Sequence, residues 1–183
     1  MMGLVLLGLI VVLGLWFVAI YNGMVGGRNA VKEAWAQIDV QLKRRHDLIP
    51  NLVETVKGYA SHEKTTLDDV MRARTQATAA HGPSAQGPAE QQLNGALGRL
   101  FAVAEQYPDL KANTNFLALQ EELASTENRI GFARQHFNDS VRDYNTRIQS
   151  IPANFFAAGF GFAPESFFEL DDPAARQTPT VKF

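Results

Sequence analysis

Apolar and polar positions follow three successive patterns along this 183-residue chain. The first is continuous: Met2–Ile20, MGLVLLGLIVVLGLWFVAI, carries neither a charge nor a strongly polar side chain. As a helix that stretch reaches about 28 Å, close to the ~30 Å hydrocarbon layer of a bilayer, and this predicts a transmembrane span. The second pattern steps by four and three through Val31, Trp35, Ile38, Leu42, Arg45, Ile49, Leu52, Val56 and Tyr59, with eight of the nine apolar. A 3.5-residue seam of this kind predicts a helix packed lengthwise against partners. The third repeats the step through Phe116, Gln120, Leu123, Glu127, Ile130, Arg134, Phe137, Val141, Tyr144, Ile148 and Ile151, eight of eleven apolar, and predicts a second long helix closed by Pro152.

The flanks of the apolar stretch argue for an uncleaved anchor. It has no basic residues before it, is too long for a signal-peptide core, and lacks a small-x-small cleavage site. Trp16 and Tyr21 suit the interfacial zone. Arg28 and Lys32 lie only on the C-terminal side, which by the positive-inside rule puts the short N-terminus outside and the rest in the cytoplasm. At Asn22-Gly23 and Gly26-Gly27 the chain either bends or continues as a loosened helix.

Interruptions divide the remainder. Pro50 falls inside the first seam without shifting its phase, so a kinked but continuous helix is expected, with the freed carbonyl of His46 needing a new partner. Gly58 and Ser61-His62-Glu63 offer a break, although the seam's phase also permits the helix to run on to residue 80. A short helix from about His62 to Ala80 is followed by HGPSAQGPAE (His81–Glu90), whose two Gly-Pro pairs predict a flexible loop. Another short helix covers Glu90 to Gln106 and ends at Tyr107-Pro108-Asp109. Asn113 or Thr114 then caps the last long helix, from Phe116 to about Ser150. The expected fold is all-α: an N-terminal transmembrane helix, then an up-and-down four-helix bundle of two long and two short helices. The expected organisation is an anchor at 1–22, a bundle at 23–152, and a Phe-rich strap with a polar tail at 153–183.

The run AWAQIDVQLKRRHDLIPNLVETVKGYASHE resembles the signature of the LemA family of bacterial membrane proteins. LGRLFAVAEQYPDLKANTNF, LQEELASTENRI, RDYNTRIQSIPANF and FGF follow in the family's order, so the likeness spans about residues 21–168. The resemblance implies an inner-membrane protein with one N-terminal span, a cytoplasmic helical bundle and no established enzymatic activity. Family genes often neighbour those of membrane proteases of the HtpX type, which implies an adaptor role as a second reading.

Composition narrows the chemistry. With 17 basic and 19 acidic side chains the net charge is −2, which argues against a nucleic-acid partner. Cysteine is absent, excluding thiolate catalysis and Cys-based metal sites. His62-Glu63 lacks the second histidine of HExxH. Arg44, Arg45, His46, Asp47, Glu54 and Glu127 are the best raw material for catalysis, but helical geometry scatters them, with Arg45 alone aimed inward. No catalytic, cofactor-binding or metal-ligating set is expected. Setting Leu42 opposite Ile130 places Trp35 by Phe137, Ile49 by Leu123, and Arg45 by Glu127. Arg45 and Glu127 therefore either form a buried polar pair or snorkel to solvent. Six of twelve Phe cluster as Phe155, Phe156, Phe160, Phe162, Phe167 and Phe168, a candidate surface for self-association or membrane contact. The expectation is a membrane-anchored, self-assembling scaffold or interaction protein, with the bilayer and further copies as partners.

Overall fold

The structure is a computed structural model and describes residues 1–169. The expected polar tail, apart from Glu169, lies outside the described residues. The fold is all-helical: α1 (Met2–Lys57), α2 (Lys64–Ala79), α3 (Pro83–Ala104), α4 (Pro108–Lys111), α5 (Thr114–Gln149), α6 (Asn154–Ala157) and a 3₁₀ turn (Ala158–Phe160). The described residues thus hold six α-helices, two of them single turns, where a transmembrane helix and a bundle of four were expected.

The apolar stretch and the first seam are one helix, unbroken at its glycines and at Pro50. The break at 58–63 is real, and Glu63 occupies the N-cap of α2 without a side-chain cap bond. At α5 the expected cap forms: Asn113 Oδ1 accepts from the backbone N–H groups of Asn115 (2.9 Å) and Phe116 (3.0 Å). The expected loop at His81–Glu90 is instead mostly helix. Pro83 stands in the first turn of α3, where its missing N–H costs nothing, and Pro88 gives up one bond inside it. Gly82, at φ 81°, makes the preceding turn that only glycine adopts readily.

The chain divides into two compact units. The first comprises Met1–Gln37 and Gln135–Ser166. From Met1 to Val18 its large apolar side chains are exposed except Phe17, and this part of α1 is long and apolar enough to cross a membrane. Beyond it α1 and α5 run antiparallel, with Trp35 against Phe137 at 5.3 Å between ring centroids and Arg147 Nη1 donating to Gly23 O at 2.6 Å. Gly27 lets the helices close up, since a Cβ there would lie 3.2 Å from the Tyr144 ring. The strap then folds back along α5. Tyr144 Oη donates to Ala163 O (3.0 Å), and Asn145 exchanges two bonds with the backbone of Glu165, each 2.9 Å.

The second unit comprises Ile38–Arg134 and the segment from Phe167 onward. Its core draws Ile49, Leu52 and Val56 from α1, Leu67 and Val70 from α2, Leu93, Leu97 and Leu100 from α3, Leu110 from α4, and Phe116 and Leu123 from α5. Seam positions are buried as the stepping predicts, apart from Tyr59, Gln120 and Ile151, which are exposed, and the half-buried Trp35, Glu127 and Arg134. Ile151 lies beyond the end of α5, where helical periodicity no longer applies.

Burial foremost, then the Glu165 carboxylate, raise the Tyr144 hydroxyl above its ordinary 10.0, with the Arg28 guanidinium opposing. A raised folded-state value means that the protonated phenol is favoured by folding. Its contribution is therefore complete below about pH 10 and is lost as pH rises through the folded-state value. Replacing Tyr144 by Phe is expected to cost about 1 kcal/mol at neutral pH. That deficit relative to wild type should shrink only in the alkaline range, as measured by denaturant unfolding across pH.

Candidate functional site

The chemistry-bearing residues of the second unit converge on one carboxylate. Glu90, 1% exposed, extends from α3. Arg45 and His46 reach it from α1: Arg45 Nη1 donates to Glu90 Oε2 at 3.3 Å, and His46 Nε2 lies 2.7 Å from Glu90 Oε1. Gln86, one turn earlier on α3, gives its amide both to Glu90 Oε1 (2.9 Å) and to Ala77 O of α2 (3.0 Å). Arg45 also donates through Nη2 to Asn94 Oδ1. A carboxylate oxygen accepts, so the short contact places an N–H of His46 at Nε2.

The local fold explains why these groups face inward. Leu42, His46, Ile49 and Val53 step by four, three and four, a row adjoining the first seam, and all four are buried. A helix with neighbours on two sides buries a stripe wider than one seam. Arg45 is therefore not alone in pointing inward; His46 does so too. Arg44 and Asp47 turn out, Arg44 forming an exposed pair with Glu122 at 2.7 Å.

Pro50 leaves the carbonyl of His46 without its helical partner. Arg74 of α2 supplies one, with Nε donating to His46 O at 2.6 Å. The proline thus opens an attachment point for α2 three residues before Ala77, whose carbonyl Gln86 bonds in the same cluster. The expected pair of Arg45 and Glu127 is present as an approach of 3.0 Å between Nη1 and Oε2, but the Glu127 side chain is 46% exposed and lacks hydrogen-bond alignment. The buried carboxylate is Glu90. Sequence reading placed it at the end of a loop, and for that reason missed it. Its available signal was that Gln86, Glu90 and Asn94 share one helical face at four-residue spacing.

The six phenylalanines do not form one surface. Phe162 and Phe168 are buried, correcting their assignment to an exposed patch. Phe162 lies on Tyr21 (5.6 Å between centroids) with the Arg28 guanidinium 4.8 Å over its ring. Phe156 and Phe160 contact Phe17 at 5.1 and 5.7 Å, and Phe160 also contacts Tyr21 at 5.5 Å. Phe155, Phe160 and Phe167 are exposed. In the second unit a Cβ on Gly87 would meet Glu169 O at 2.3 Å and the Phe168 ring at 3.9 Å, so Phe168 and Glu169 pack directly on the α3 backbone.

Chemically the cluster is a clamp. Its acid and its imidazole bond one another and both are buried. Among the described residues no group of three or more His, Asp or Glu side chains is arranged to hold a metal ion.

A model of the LemA family matches residues 34–183. The chain is also similar to magnetosome proteins MamQ 1 and MamQ 2 of Paramagnetospirillum magneticum. Each is 26% identical over 187 aligned residues, covering 88% of this chain and 68% of the relative. Protein LemA of Metamycoplasma hominis is 25% identical over 153 residues, covering 82% of this chain and 69% of that one.

Removing one member of a buried ion pair costs about 3–5 kcal/mol. Glu90→Ala or Arg45→Met should therefore lower the unfolding midpoint strongly, whereas Arg44→Ala at the exposed pair should change stability by less than about 1 kcal/mol. Denaturant titration of the three variants checks the ranking. Gly87→Ala is expected to loosen Phe168 and Glu169 from α3, read as faster amide exchange at Phe168 than in wild type.

Proposed function

The chain belongs to the LemA family, and from that premise we propose that it is a single-span, membrane-anchored scaffold or interaction protein that assembles with copies of itself. The carrying observation is the continuity of α1, whose first part presents apolar side chains to its surroundings and whose last part holds Arg45 and His46 of the clamp. Such a surface is stable only in lipid, so the same helix is anchor and structural element. The second unit reads as an up-and-down four-helix bundle of α1, α2, α3 and α5, with α4 as a one-turn connector.

Arg28 and Lys32 follow the apolar stretch, which favours an outside N-terminus and a cytoplasmic bundle in the inner membrane of a bacterium. Phe155 and Phe160, 73% and 50% exposed, belong with Phe17 and Tyr21 at the bilayer interface. A clamp whose acid and base satisfy each other is suited to holding helices together and not to turnover, so the protein acts by contact and not as an enzyme.

Self-assembly draws on the outer faces of the long helices. Phe132 is 74% exposed on α5, and Val40 is exposed on α1. Copies anchored by the same span in the same orientation present Phe132 at one height, which permits a symmetric contact about an axis normal to the membrane.

Sizing of the full-length protein in mild detergent, by light scattering coupled to chromatography, tests this. The expected result is an oligomer that Phe132→Ser shifts toward a smaller species. A wild-type monomer at all concentrations would remove the self-assembly reading.

A further inference from the structure

Neither the clamp nor the aromatic contacts use a groove at the point where α1 leaves its apolar stretch. Its volume is about 580 Å³, and all its lining belongs to the first unit. Ile20 and Ile151 form apolar wall, Arg142 and Arg147 bring guanidinium groups, Thr146 a hydroxyl, and Asp143 a carboxylate.

The level of this groove follows from the helix. Gly23 lies about 4.5 Å along the axis beyond Ile20, the last residue of the apolar stretch. The headgroup layer flanking the ~30 Å hydrocarbon is about 5–7 Å deep on each side, so Gly23 falls within it. Arg147 is fixed at the same level by its 2.6 Å bond to Gly23 O. Glycine permits this approach, because a Cβ at Gly23 would lie 3.3 Å from Arg147 Nη1. One of the five guanidinium N–H donors is used there, leaving others for a phosphate.

Asp143 and Arg147 stand one turn apart, the spacing and order of a favourable helical ion pair. Among the described residues no ion pair joins them, because Arg147 is turned to the Gly23 carbonyl. Arg142 is already bonded to Asp139 at 2.7 Å. With Arg142 paired outside it, the groove presents one cation, Arg147, and one anion, Asp143, that are not paired with each other, a pattern matched by a ligand that carries both charges. Its hydroxyl content is small, since Ser150 Oγ is spent on Thr146 O at 2.7 Å.

We infer that this groove seats the headgroup of a phosphoethanolamine lipid. Its phosphate lies on Arg147, its primary ammonium lies on Asp143, and its glycerol end lies against Ile20 and Ile151. A choline headgroup carries the same charges but has no N–H to donate to Asp143, so the site distinguishes the two. The inference rests on the reading that Met2–Ile20 spans the bilayer.

The test uses full-length protein in maltoside micelles, with native mass spectrometry counting retained phosphatidylethanolamine, phosphatidylcholine and phosphatidylglycerol of identical acyl chains. The ethanolamine lipid should be retained several-fold over choline. Asp143→Asn should erase that preference, and Arg147→Gln should reduce retention of both, with circular dichroism confirming unchanged helicity. Gly23→Ala, which crowds the Arg147 guanidinium without removing a charge, should lower retention in the same direction. Equal retention of ethanolamine and choline lipids by wild type would overturn the inference, as would a phosphatidylglycerol preference unaffected by Asp143→Asn. Displacement of the lipid by millimolar soluble phosphoethanolamine would overturn the lipid source. Carbonate extraction of native membranes separates the two levels: release of the chain would sink the span itself, whereas retention without lipid discrimination sinks only the headgroup site.

Discussion

A buried carboxylate is costly unless donors surround it, and Glu90 is surrounded. Arg45, His46 and Gln86 all converge on it, and Gln86 also reaches the backbone of α2. Uncompensated, such a charge would cost several kcal/mol, comparable to much of a domain's net stability. The apolar seams would tolerate some sliding of one helix along another. The clamp does not, because a shift of one residue would turn Arg45 or His46 away from Glu90. Hydrophobic burial thus supplies most of the driving force in the second unit, and the polar cluster selects the register.

Pro50 belongs to the same argument. In isolation it weakens α1 by removing one backbone bond, a cost of about 3 kcal/mol in a helix interior. Here the orphaned carbonyl of His46 is taken by Arg74, so the gap in one helix becomes the point at which another is fastened. His46 is thereby held through its backbone as well as its imidazole. In the first unit, close packing takes the place of ionic bonding. Gly27 admits the Tyr144 ring, Gly23 admits the Arg147 guanidinium, and the aromatic strap returns onto Phe17 and Tyr21.

Much of this was legible in the residues. A charge-free run announces a membrane-length helix, and two seams stepping by four and three announce long packed helices, because burial repeats with the helical period. The antiparallel pairing that sets Trp35 by Phe137 and Arg45 near Glu127 followed from setting Leu42 of one seam opposite Ile130 of the other. His81–Glu90 was misleading for a local reason. Gly-Pro pairs signal turns by backbone preference, yet a proline in the first turn of a helix loses nothing, and the burial of Gln86 and Glu90 holds the rest helical. The aromatic cluster misled differently. Composition counts phenylalanines but not the side each faces in an irregular segment, and Phe162 and Phe168 turned inward.

The sequence alone determined what depends on local pattern: the all-helical class, the membrane-length stretch, the two long seams, a cap for α5 at Asn113 or Thr114, and family membership. Those properties are written in neighbours three and four residues apart. Tertiary structure alone decided which charges meet. Glu90 lies 44 residues from His46 and 45 from Arg45, and no rule of spacing joins them. It also decided which phenylalanines are covered and that Arg147 leaves Asp143 for the carbonyl of Gly23. The physical reason is that a polar side chain's partner is whatever packing brings within about 3 Å of it, and that distance is fixed only when the helices have docked.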